Sequence, residues 1–313
     1  MKHFVDIQAI REKDIDLGDG AIRPNNVGAF EIGDHIQITE KFDGANGSIA
    51  YNPETDTLVA FSRKKELDYQ NTNQGFWNYV HELTEQTLRA FRNHPFYVLF
   101  GEWAVRHSVR YNQDAYKKMY GYDIWDTTTE SYLTQDIVKA FCEEAGIEYI
   151  HVVYDGEFLG WDHVMQFTHM PAYGDTAEGI VIKNQDKLNR VEDSRHPSYI
   201  KIVNDEFKES KARLHDELAA EKSEARSQAE SLLQDIVTEA RVRKEVLKMI
   251  DEGILPNEIT PQCMKDIACN LPKRIYDDCV KEEPEIISKA GEYAGKICSS
   301  ITMRLAKEIF LGK

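Results

Sequence analysis

The chain has 313 residues, 42% of them hydrophobic and 29% charged, with a formal net charge of −16. That length holds one large domain or two ordinary ones, and that apolar content suffices for a packed core, which excludes a disordered or fibrous chain. The acidity speaks against indiscriminate nucleic-acid binding, because a polyanion is repelled at long range, but it leaves room for a local basic groove.

The opening stretch, MKHFVDIQAIREKD, puts charges where a signal peptide needs an apolar run. No stretch approaches the roughly 20 apolar residues of a membrane span, so a cytoplasmic chain without membrane contact is expected, in the host cytoplasm if a phage encodes it. HIQITE and GSIAYN read as strands and flank KFDGANG. There Asp43, Gly44, Asn46 and Gly47 favour turns, and Asn-Gly between alternating strands predicts a hairpin. On that reading Lys41 is a solvated lysine beside a β-turn. NPETD is a turn before the strand TLVAFSR, and QGFWNYVHELTEQTLRAF has helical spacing, with Phe76, Val80 and Leu83 on one face. FYVLFGEW and MYGYDIWD follow as strands, and TQDIVKAFCEEAG as a helix opened by Thr134 and stopped by Gly146. IEYIHVVY, EGIVIK and SYIKIV complete the β-branched and aromatic runs. Strands and helices in irregular order, without strict βαβ alternation, predict an α+β fold with a largely antiparallel sheet.

Composition changes near Phe207. Residues 208–228 are too charged for a core and predict an exposed helix or linker, while 229–313 predict a helical domain. Leu232, Leu233, Ile236, Val237, Val242, Val246, Leu247 and Ile250 recur at helical spacing up to Gly253, and Thr260-Pro261 starts a helix. Pro272 and Pro284 are expected to separate segments, and residues 284–310 to close the chain as one helix. Cys142, Cys263, Cys269, Cys279 and Cys298 contain no CxxC pair, so neither a zinc site nor a disulfide framework is encoded.

Several strands place a charge inside an apolar run: Glu102 in FYVLFGEWAV, Glu178 and Lys183 around EGIVIK, Lys201 in SYIKIV and Arg63 in LVAFSRKK. A strand end reaching solvent carries a charge freely, but a buried one costs several kcal/mol unless it is paired or binds something. If these strand ends converge, Lys41, Arg63, Lys183 and Lys201 with Glu102 and Glu178 form a pocket suited to a polyphosphate and a divalent metal. A lysine there can act as a nucleophile once neighbouring cations favour its neutral amine.

KFDG, FGEW, YGYDIWD, EGIVIK and SYIKIVNDEF, in this order, resemble motifs I, III, IIIa, IV and V of the covalent nucleotidyltransferases, the superfamily of DNA ligases, RNA ligases and capping enzymes. Chain length, the GANGSI continuation and the helical C-terminal part look most like the RNA ligase 2 family of bacteriophage type. The resemblance implies an ATP-grasp-like nucleotidyltransferase domain over residues 1–207, of mainly antiparallel sheets with flanking helices, before an all-helical C-terminal domain that contacts RNA. It implies that Lys41 attacks the α-phosphate of ATP, that Lys183 and Lys201 neutralise that phosphate, and that Glu178 positions Mg²⁺ or Mn²⁺. Glu102 would hold the ribose, Tyr122 would stack on adenine, and Glu40 would touch the base edge. Arg63 and Asn46 would serve the nucleotide phosphate and the later steps.

The implied partner is RNA with 3′-OH and 5′-phosphate ends, as a nicked duplex, joined by a monomer during RNA repair. Val203 stands where the family usually has a second motif V lysine, and Asp43 and Ala45 stand where close relatives often have histidine and threonine. DNA ligases and capping enzymes follow motif V with a small β-barrel, whereas helices follow it here. The alternatives are a DNA-ligase or GTP-using capping-type enzyme, a noncatalytic nucleotide- or nucleic-acid-binding module, and an assembly protein that docks through its acidic helices. The helical domain and the stretch Arg106 to Lys118 are expected to touch RNA, with contact weakening as salt rises. Arg63, Lys64, Lys65, Lys183, Lys187, Arg190, Arg195 and Lys201 are further candidates for a local basic groove if the fold gathers them on one face.

Overall fold

The computed structural model describes residues 3–16, 22–193, 196–209 and 211–311, without the side chains of 208–222; Arg195 and part of the expected charged linker lie outside what is described. The chain is α+β and divides into two compact units: Met1–Glu66 with Tyr79–Leu218, and Leu67–Asn78 with Ala219–Lys313. A twelve-residue loop of the N-terminal part therefore belongs to the helical unit.

The first unit carries β1 (Gln8–Ala9), β2 (Ile15–Asp16), β3 (Ile22–Arg23), β4 (His35–Glu40), β5 (Ala45–Asn52), β6 (Thr57–Ser62) and β7 (Tyr97–Trp103). These are followed by β8 (Met119–Asp126), β9 (Ser131–Tyr132), β10 (Glu148–Tyr149), β11 (Val152–Glu157), β12 (Gly179–Asn184) and β13 (Tyr199–Val203). One sheet has the order β1-β13-β12-β4-β11, the other β10-β8-β7-β5-β6 with β9 on β8, and β2 pairs with β3. All pairings are antiparallel except β1 with β13 and β10 with β8.

Side chains alternate across a strand, and in the first sheet the two faces have opposite chemistry. Ile36 and Ile38 of β4, Ile180 and Ile182 of β12, and Ile200 and Ile202 of β13 enter one core with Phe30, Phe158 and Val164. Each such buried side chain contributes roughly 1.5–3 kcal/mol. The intervening residues Thr39, Val181, Lys183 and Lys201 face a cleft toward the second sheet. A one-residue slip would exchange the faces, so the isoleucines fix the register that aims the lysines.

The expected hairpin at Asn46-Gly47 does not form. β4 and β5 lie in different sheets, and both residues sit inside β5, where Asn46 pairs with Glu102 and Gly47 with Ser62 and Gly101. Turn propensity is local, whereas strand partners are chosen by packing. The residues between the strands, 41–44, instead carry the chain from one sheet to the other.

The long helix expected at 74–91 splits into Phe76–His81 and Glu85–Asn93, and Gln135–Ala145 ends at Gly146 in the left-handed conformation (φ 68°). A short helix at Trp161–Met165 had no counterpart in the sequence reading. The second unit packs the part of the helix Lys211–Ile236 from Ala219 onward and the helices Glu239–Asp251, Met264–Glu282, Pro284–Ala290 and Ala294–Leu311 around Leu233, Val242, Val246, Ile267, Leu271, Ile275 and Ile297. Pro272 does not separate segments. It is buried inside Met264–Glu282, where it removes one intrahelical hydrogen bond and packs against the core. The last helix is not continuous from 284, because Gly291 (φ 56°) breaks it.

Candidate active site

A cavity of about 260 Å³ opens between the two sheets of the first unit. Lys41 follows the end of β4, its N–H donating to the Gly179 carbonyl at 2.9 Å. Its Nζ reaches back to Glu178, which accepts a hydrogen bond at 2.5 Å. Gly179 is required between them. Its φ is +153°, and a Cβ would stand 2.0 Å from the Ile202 carbonyl oxygen, so only glycine lets β12 begin directly after Glu178.

The opposite wall brings Asn46, Glu102 and Tyr122. Glu102 Oε1 accepts from Gly44 N at 3.2 Å, and a Cβ on Gly44 would meet the Trp103 carbonyl at 2.5 Å, so the backbone just past Lys41 can lie against this carboxylate only as glycine. Burial pushes Glu102 up to about 8, with Lys41 pulling down and Glu178 and Asp43 pushing up. Asn46 Nδ2 donates to the Tyr122 hydroxyl at 2.6 Å. Tyr122 and Asp123 are neighbours in β8, yet both line the cavity. A register shift there, where Phe100 pairs with Asp123 and Gly101 with Gly121, lets consecutive side chains share a face.

Lys183 has the least access to water of the site's cations. Its side chain is 2% exposed, and its Nζ stands 3.0 Å from Asp123, whose own side chain is fully buried. It also donates to the Tyr122 carbonyl and to Gln135 Oε1. Asp123 accepts from Gln135 at 2.8 Å and from the Tyr199 hydroxyl at 2.9 Å. Burial acts against both charges and holds the Lys183 ammonium below its ordinary value. The charge assigned to the phosphate is thus largely balanced by Asp123. Lys201 is half-buried, and burial followed by Lys41 and Arg63 lowers its pKa. Arg63 is more exposed and pairs with Asp6 at 2.7 Å.

Glu40 is buried. Its Oε2 accepts from Ala172 N at 2.7 Å while Oε1 has no partner, and burial pushes the carboxyl up to about 7. The fold thus gathers Lys41, Glu40, Asn46, Arg63, Glu102, Tyr122, Lys183 and Lys201 around one cavity, with Glu178 on Lys41. The sequence reading missed Asp123, Gln135 and the N-terminal lining Phe4, Val5, Asp6 and Ile7. The aspartate in YGYDIWD was visible as a charge within an apolar run and could have been found; the N-terminal segment carries no such mark.

Among the described residues no three His, Cys, Asp or Glu side chains form a ready metal cage. Glu102 and Glu178 nevertheless offer hard oxygen ligands beside the cavity, the donor chemistry of a Mg²⁺ ion that keeps its waters and substrate phosphates. Among the same residues no helix is long and apolar enough to cross a membrane.

Residues 34–203, more than half of the chain, match the RNA ligase family. The chain belongs to the RNA ligase family, with its nucleotidyltransferase-type core. Among solved structures it is similar to a Naegleria gruberi RNA ligase variant with ATP and Mn, at 16% identity and a TM-score of 0.47, covering 66% of this chain and 61% of that one. It is likewise similar to the Naegleria gruberi RNA ligase with PPi, at 16% identity and a TM-score of 0.46, covering 66% and 62%. The chain thus spans about three fifths of these solved relatives. No curated protein sequence matches it.

Proposed function

We propose that this chain is an ATP-dependent RNA ligase that joins 3′-OH and 5′-phosphate ends through an AMP held covalently on Lys41. The observation that carries this reading is the Lys41 amine, 2.5 Å from Glu178, in a cavity that also holds Arg63, Lys201 and Glu102. Lys41 gives a proton to Glu178, and the freed lone pair attacks the α-phosphorus of ATP. The bond to the β-phosphate oxygen breaks, its electrons leave with pyrophosphate, and a phosphoramidate remains. Lys201 and Arg63 offset the charge that develops on the phosphate oxygens, and fixed cations do this without reorganising during the reaction. An RNA 5′-phosphate oxygen then displaces the amine from phosphorus, and the leaving nitrogen takes back the proton held by Glu178. Finally the 3′-OH attacks that 5′-phosphate and gives up its proton to solvent, while AMP leaves with the electrons of the broken anhydride bond. A divalent metal held beside Glu178, when bound, would supply Lewis-acid neutralisation of the phosphates.

The free Oε1 of Glu40 supports ATP as the nucleotide. Adenine presents an exocyclic N–H donor where guanine presents a carbonyl acceptor, and a buried carboxylate rewards only the donor. A donor would also favour the ionised form of Glu40.

Incubation with α-labelled ATP and Mg²⁺, followed by denaturing electrophoresis, tests the reading. A labelled protein band is expected from the wild type and not from Lys41→Ala, with far weaker labelling from GTP. A wild-type chain that never takes label overturns it.

A further inference from the structure

A second cavity, an open groove of about 750 Å³, lies within the helical unit. One wall is the face of the helix Ala294–Leu311 that carries Lys296, Ser300, Arg304 and Lys307, at the three- and four-residue steps that align side chains on a helix. From Lys296 to Lys307 this face runs about 16 Å. The other wall is the loop Leu67–Asn78, which contributes Gln70 and Asn71.

The groove is built into the fold. A Cβ on Gly295 would stand 1.7 Å from the Tyr69 carbonyl oxygen, so the loop backbone lies directly on the helix where the side chain is missing. Gln70 Nε2 donates to Ser299 Oγ at 2.7 Å, and Ser299 Oγ donates to the Gly295 carbonyl at 2.8 Å, which ties loop to helix a turn further on. The three cations are exposed. Among the described residues the lining holds three positive charges, two amides, two hydroxyls and Met303, and no carboxylate. In a chain of net charge −16 this is a local reversal of sign. Arg304 leans toward Glu308, 3.5 Å away on the same helix, but that pair is open to water.

We propose that this groove binds the phosphodiester backbone of the RNA substrate. The inference rests on the ligase reading above and gives it a place of contact outside the nucleotide cavity. An extended row of cations flanked by hydrogen-bond donors matches a chain of phosphates, and such contacts position a nucleic acid without reading its sequence.

The test uses the full-length chain, a fluorescently labelled nicked RNA duplex and binding measured over a range of salt concentrations. The variant combines Lys296→Ala, Arg304→Ala and Lys307→Ala, and a charge-preserving control combines Lys296→Arg, Arg304→Lys and Lys307→Arg. Each phosphate contact contributes about 0.7–0.9 to the slope of log affinity against log salt, so the alanine variant should lose roughly 2 from that slope and bind at least tenfold more weakly at low salt. The control should bind as the wild type does. Labelling of Lys41 by ATP should be the same in all three. Unchanged affinity and slope in an alanine variant that still labels overturns the groove alone; a wild type that binds RNA through the groove but never labels overturns the ligase chemistry alone.

Discussion

Lys183 and Asp123 meet at 3.0 Å in the first unit with side chains 2% and 0% exposed, whereas Arg274 and Glu252 pair in the second with 29% and 46% exposed. The difference extends beyond these pairs. The first unit holds Glu40, Asp123 and Lys183 almost wholly out of water, while among the described residues of the helical unit Glu245 is the buried charge, answered by the exposed Lys248. Desolvation makes the first arrangement expensive, and a packed hydrophobic substitute would often serve stability as well. On the reading proposed above, charges held inside the first unit in this density belong to the site that takes a charged substrate. Most charges on the helices reach water, with Arg241 and Asp278, 12% and 13% exposed, as a partly buried pair between these extremes.

The contrast can be broken or sharpened by substitution. Lys183→Met leaves the Asp123 carboxylate buried without its cation and should lower the unfolding free energy by about 3–5 kcal/mol. Guanidinium titration would measure it, and a loss below about 1 kcal/mol would dissolve the comparison. A smaller effect attaches to Glu102, whose carboxyl rises from the ordinary 4.5 to about 8 in the folded chain. The folded state keeps a proton that the unfolded chain releases above 4.5. The stabilisation is therefore complete below that value and is lost as pH climbs through about 8. Thermal unfolding across pH 5 to 6.5 should show the wild type weakening and Glu102→Gln flatter, by a difference of the order of 2 kcal/mol. The smallest change is expected from Arg274→Ala, which removes a solvent-screened pair and should shift stability by less than about 1 kcal/mol.

Much of this was legible in the sequence, for identifiable reasons. Isoleucines alternating with lysines in EGIVIK and SYIKIV announce strands with one dry and one charged face, and the two strands do pair, with Val181 opposite Lys201. Phe76, Val80 and the residues of TQDIVKAFCEEAG gave helices because their spacing is a local property. What failed depended on distant partners. Asn46-Gly47 resembles a turn in isolation, yet Glu102 and Ser62 claim it for a sheet. Pro272 looks like a boundary, yet the surrounding core holds its helix together. Nothing in LDYQNTNQGFWN says that it leaves the sheet unit, because the deciding feature is a missing side chain at Gly295, more than 200 residues later.

The network around Lys183 reaches further than its own charge. Lys183 belongs to one sheet and Asp123 and Tyr122 to the other, while the Tyr149 hydroxyl bridges Gln37 at 2.7 Å and Gln135 at 2.6 Å. These bonds staple the two β-layers together across the rear of the chamber, so its width is set before any nucleotide arrives. On the ligase reading, a nucleotide docks between walls that are already joined, and a polynucleotide end enters without parting the two sheets.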